Sequence, residues 1–151
     1  MNIPQLVEQA VENFLADQGL ELVTNVYKGR ENIQTAANSD TEEPTIALPC
    51  VIIEADQTFA VPYPGTGNYQ GDLSIHVQAD AEDTTDAEFH AMCNEVFGAF
   101  NVANLGSSLS TSLANFTCPL AYCLGISCAV KKEGKWINTL RFRIVACAAD
   151  L

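Results

Sequence analysis

Residues 69–100 read YQGDLSIHVQADAEDTTDAEFHAMCNEVFGAF, and this stretch decides the fold. Its first eleven residues alternate: Tyr69, Gly71, Leu73, Ile75, Val77 and Ala79 fall on one face, and Gln70, Asp72, Ser74, His76 and Gln78 on the other. A period of two with one apolar face predicts a strand of a sheet buried on one side. After the acidic link Asp80–Thr84 the period changes. Phe89, Met92, Cys93, Val96, Phe97 and Phe100 recur every three or four residues, as on one side of a helix. Thr85 followed three residues later by Glu88 is a capping box, in which hydroxyl and carboxylate each take a backbone N–H. An amphipathic strand leading into a capped amphipathic helix predicts a two-layer α+β domain, with that long helix packed on one face of a mainly antiparallel sheet.

Working outward, residues 3–17 read as a second helix. Pro4 sits in its first turn, where a missing N–H costs nothing, and Gly19 supplies the stop. Leu6, Val7, Ala10, Val11, Phe14 and Leu15 form its apolar stripe, with Glu8, Glu12, Asp17 and Gln18 mostly away from it. Residues 20–27 read as a strand, and 29–49 as a long polar loop carrying Glu42 and Glu43. Residues 49–55 (PCVIIEA) form a short strand, antiparallel to the 69–79 strand. Between them lies FAVPYPGTGN, a Pro- and Gly-rich loop with the aromatics Phe59 and Tyr63.

From Val96 to Val130 the chain carries no charge. Leu113–Val130 has the length of a membrane span, but Asn115, Thr117, Pro119, Gly125 and Ser127 interrupt it. The preferred reading is a Ser- and Asn-rich loop over about 101–121, a strand from about Tyr122 to Val130, a turn at Lys131–Lys135 and a return strand Trp136–Cys147. Arg141 and Arg143 share one face of that last strand. They read either as a partner contact or as neutralisers of acids on neighbouring strands or subunits.

With 151 residues the chain has room for one domain, read as 1–151. A formal charge of −12 with seven basic residues speaks against gripping nucleic acid or anionic membranes. The N-terminus lacks the basic and continuous apolar regions of a signal peptide. The six cysteines, Cys50, Cys93, Cys118, Cys123, Cys128 and Cys147, sit mostly among apolar neighbours. They read as small buried hydrophobes in a reducing compartment, without metal-ligand spacing. No nucleotide, nucleophile-elbow or metalloprotease motif occurs, and PGTGN at 64–68 precedes a strand rather than a helix. His76 and His90 have no local catalytic partner. The acids Asp80, Glu82, Asp83 and Asp86 stand where a helix N-terminus favours negative charge. The reading therefore assigns no catalytic residue, no cofactor and no metal.

The order of elements is a leading helix, a strand, a long loop, a strand pair ending YQGDLSIHVQA, the capped helix TTDAEFHAMCNEVFGAF and a final hairpin ending WINTLRFRIVACAADL. It resembles the tail terminator and head–tail joining proteins of long-tailed bacteriophages. The resemblance implies a structural virion protein, not an enzyme, assembled in the host cytoplasm. It implies a homo-oligomeric ring, typically of six copies, that caps the tail tube and meets the head connector or neck protein. DNA would pass through without specific binding, consistent with repulsion between acids and phosphates. Interface candidates are Glu42, Glu43, Phe59, Tyr63, Arg141 and Arg143. The competing class is a small-ligand-binding domain or hydrolase using the helix–sheet cleft.

Overall fold

A computed structural model describes residues 3–29, 46–56 and 68–148. The elements are α1 (Ile3–Ala16), β1 (Asn25–Lys28), β2 (Cys50–Ala55), β3 (Asn68–Asp80), α2 (Asp86–Ala99), α3 (Leu105–Ser112), β4 (Phe116–Ile126), β5 (Val130–Lys132) and β6 (Lys135–Ala148). The fold is α+β: one six-stranded sheet in the order β1-β2-β3-β6-β4, with β5 also on β6. Among the described strands only β1 and β2 run parallel.

The alternation of β3 appears as expected. Tyr69, Leu73, Ile75, Val77 and Ala79 are all fully buried. β6 crosses it antiparallel, with Leu73 opposite Phe142 and Ile75 opposite Leu140. The core side of β6 is therefore its even-numbered face, from Trp136 to Ala146. Each large side chain buried here contributes about 1.5–3 kcal/mol of hydrophobic stabilisation. Gly71 interrupts the apolar row because the Tyr69 ring lies where its Cβ would be. That ring is pinned, since its hydroxyl donates to the Asp56 carbonyl at 3.0 Å.

The helices lie on one face of this sheet and share a single core with it. α2 starts at the predicted capping box: Glu88 N–H donates to Thr85 Oγ1 at 3.2 Å, and Thr85 N–H to Glu88 Oε1 at 3.0 Å. Phe89, Cys93 and Val96 bury its inner side, and Phe89 stacks on Trp136 with centroids 5.7 Å apart. Met92 and Phe97, also expected inside, are only partly buried against the core.

Several expectations need correction. Among the described residues there are three helices, not two, and the 85–100 helix is not singular in length: α1 and α2 have 14 residues each. α3 occupies the segment read as a Ser/Asn loop. It is capped by Asn104, whose Oδ1 accepts from Ser107 N–H at 3.0 Å. Tertiary bonds hold this serine-rich helix: Ser112 Oγ donates to the Ala10 carbonyl at 2.8 Å, and Ser110 Oγ accepts from Cys118 N–H at 2.8 Å. Gly106 lets it lie against β4, since a Cβ there would come within 2.5 Å of the Cys118 carbonyl oxygen. β4 starts at Phe116, well before the expected Tyr122, and pairs along the far half of β6. The hairpin proper is β5–β6, closed by Glu133 and Gly134, both with positive φ as a type I′ turn requires. Residues 20–24 lie outside β1, which is only four residues long.

Glu8, read as lying off the apolar stripe, is 1% exposed. Its Oε2 accepts from Ala55 N–H at 3.0 Å, so it closes the end of β2. Three cysteines, Cys50, Cys93 and Cys118, are buried as expected. Cys123 and Cys128 are exposed and Cys147 is half-buried; all six are free thiols. No described helix is long and apolar enough to cross a membrane.

Candidate interaction surface

The helices cover one face of the sheet; at β2 the other face has Cys50 and Ile52 buried, whereas towards β6 and β4 it is exposed. The polar residues of β3 and the odd-numbered residues of β6 meet there. Asp72 stands opposite Arg143 and next to Arg141. Its Oδ1 accepts from Arg143 Nε and its Oδ2 from Arg141 Nη2, each at 3.0 Å. The Asp72 side chain is 16% exposed, against 56% and 42% for the two arginines. Of the two readings of the arginine pair, neutralisation of an acid on a neighbouring strand is therefore realised within the chain. The Asp72 carboxylate also holds the Arg143 guanidinium above its usual pKa, with Tyr122 adding to the effect. Further along this face, His76 Nδ1 lies 2.8 Å from Thr139 Oγ1. Burial lowers the His76 pKa; Glu54 opposes this and Arg141 reinforces it. His90 lies on the outer side of α2, 3.6 Å from Asp86. The remaining predicted interface residues, Glu42, Glu43, Phe59 and Tyr63, lie outside the described residues.

The sequence reading did not anticipate the bare edge. β4 ends the sheet, and β5 continues the same side of β6. Seven large apolar side chains are exposed among the described residues. Five of them lie here: Leu120, Tyr122, Leu124, Ile126 and Val130, between 43% and 57% exposed. Leu120 and Tyr122 stand opposite Val145 and Arg143, on the open face, whereas Ile126 stands opposite Leu140, on the helix face. The apolar rim therefore wraps around the edge. Soluble proteins normally blunt such edges with charge; β4 itself carries none, and the charges beside it are Arg143 and Arg141 of β6, opposite Tyr122 and Gly125, with Lys131 and Lys132 at its far end. The uncharged run 96–130 was the signal that pointed here.

Among the described residues, grooves flank the sheet at both ends. One, of about 400 Å³, lies between α2 and the β4 edge and is lined by Phe97, Phe100, Leu140, Phe142, Ile126 and Cys123, with Asn94 and Asn101. Cys123 is its one ionisable group, with no neighbouring base in the lining to activate it. The other, of about 300 Å³, lies at the opposite end, between the C-terminal half of α1 and β1. Leu15, Ala16, Leu20, Val23 and Val26 line it, with Glu12. The neighbouring turn is tied down by α2: the Glu95 carboxylate accepts from the N–H groups of Glu21, Leu22 and Val23 at 3.0–3.3 Å.

Along the sequence the charges are unevenly divided. Residues 1–95 hold seventeen of the nineteen acids and two of the seven basic residues; residues 96–151 hold the other two acids and five bases. The buried thiols are not reactive sites, as burial pushes Cys50, Cys93 and Cys118 up to about 11. Among the described residues no group of three His, Cys, Asp or Glu side chains is placed to hold a metal ion. No protein-family model matches the chain, and a search of curated proteins finds no match.

Proposed function

We propose that this protein is a structural subunit that works by assembling with its own copies, as a ring that terminates a bacteriophage tail tube and joins it to the head connector. The observation that carries the assembly reading is the β4–β5 edge, with five exposed large apolar side chains in eleven residues and no charge before Lys131. Contiguous exposed apolar surface of this kind marks association sites. The excess of acids suits a channel through which DNA must slide. The specific role as tail terminator rests on the order of elements and is the finer part of the proposal.

A second reading is favoured by the groove beside α2, whose volume of about 400 Å³ falls in the range of small-molecule sites. Its lining is apolar and nearly devoid of titratable groups, which suits a binder of apolar ligands better than a hydrolase.

Negative-stain electron microscopy of the purified chain tests the first reading and should show rings with a central hole. Disruption of the gene in the phage that encodes it should leave tails of irregular length detached from filled heads. A chain that stays monomeric at high concentration, together with intact virions in its absence, overturns it.

A further inference from the structure

We infer that the two ends of the sheet are mates: the apolar β4–β5 rim of one copy packs into the α1–β1 groove of the next. This rests on the ring reading above and specifies its contact.

The rim offers Leu120, Tyr122, Leu124, Ile126 and Val130, followed by Lys131 and Lys132. The groove offers Leu20 and Val26 above the buried Leu15 and Val23, with Thr24 and Glu12 at its wall. Asp17, Glu21 and Leu22 lie exposed on the turn beside it. Apolar surface thus meets apolar surface, and a basic border meets an acidic one. Such complementarity fixes orientation and register.

The alternative occupant of the rim is the same edge of a second copy, forming a continuous sheet about a two-fold axis. The backbone of β4 disfavours that. Pro119 has no N–H to give, and the register shifts there and again at Cys123–Gly125, where Gly125 has φ +148°. These interruptions leave Leu120–Cys123 as the longest regular stretch of edge, too short for a stable ladder between copies. Contact through side chains is unaffected by them. Because rim and groove are different surfaces at opposite ends of one sheet, their contact is head-to-tail, and such contacts close into rings when the rotation per subunit permits.

The test is native mass spectrometry of the full chain and its variants, with circular dichroism to verify folding. The wild-type chain should form a closed oligomer of more than two copies. Leu124→Glu with Ile126→Glu should be folded and monomeric. Lys131→Glu with Lys132→Glu should raise the concentration for half-assembly by about tenfold. Adding Asp17→Lys and Glu21→Lys to that variant should restore assembly, since the charges are exchanged across the contact. If the rim variant still forms the wild-type oligomer, or the exchanged charges do not restore assembly, the mating of rim and groove is wrong while the ring stands. If the wild-type chain is a monomer or a two-fold dimer, both fall.

Discussion

β3 and β4 are both long strands bonded to β6, yet they use their apolar residues in opposite ways. β3, thirteen residues long, alternates strictly and buries every large apolar side chain it places on the helix face. β4, eleven residues long, has apolar side chains on both faces and leaves most of them at the surface. The difference is one of position. β3 lies between β2 and β6 under the helices, so one face is fully buried while the other, with Asp72, Ser74 and His76, is half-buried. β4 has a neighbour on one side and only α3 over its first residues. Equal hydrophobicity thus contributes to folding in β3 and remains unspent in β4, where a second chain can use it.

The sharpest way to break this comparison is to place a carboxylate in each setting. Val96→Asp, on the inner side of the helix that covers β3, should cost several kcal/mol and abolish the cooperative melt, because the charge has no partner and no water. Leu120→Asp on the β4 rim should shift stability by less than about 0.5 kcal/mol. Equal destabilisation in the two thermal melts would mean that β4 is part of the folding core.

Gly106→Ala comes next. It places a Cβ against the Cys118 carbonyl, where α3 approaches β4. The helix must move away, and a loss of about 1–3 kcal/mol is expected despite the better helix propensity of alanine. A more stable variant in urea denaturation would show that α3 is not tightly seated on β4.

Asp72→Ala removes the acceptor shared by Arg141 and Arg143. Both arginines are substantially exposed, so the loss should be no more than about 1 kcal/mol. Its larger effect should be on assembly. Two arginines released onto the open face would change the salt dependence of association, measurable by sedimentation.

The smallest effect concerns His76. Burial lowers its pKa in the fold, so the folded state favours the neutral ring. As the pH falls below about 6.5 the unfolded chain takes up a proton that the folded chain resists, and stability declines. Above that pH the contribution is constant. The melting temperature should therefore fall between about pH 7 and about pH 5 by more in the wild type than in His76→Gln. Identical slopes would place His76 in water, and the β3 open face with it.

Local pattern made much of this fold legible. The strand and capped helix of residues 69–100, helix α1, the strand at 50–55 and the return strand β6 all follow from periodicity, caps and stops, which act within a few residues. So did the pairing of β2 with β3. α3 was not legible, because its serines have weak helix propensity and its support comes from Ala10, Asn13 and Cys118, distant in sequence. Nor was the burial of Glu8, which depends on the end of β2 folding back over it to supply the Ala55 N–H.

The candidate site divides along the same line. Sequence alone determined that a long stretch, Val96–Val130, lacks charge, that basic residues are scarce, and that Arg141 and Arg143 share a strand face. These are properties of composition and of a two-residue period. Only the tertiary structure decided that the uncharged stretch ends as an exposed edge, that the arginines share Asp72, and that an acid-bordered groove lies at the other end of the sheet. Strand order and register are set by packing between residues far apart in the chain, and no local pattern carries them.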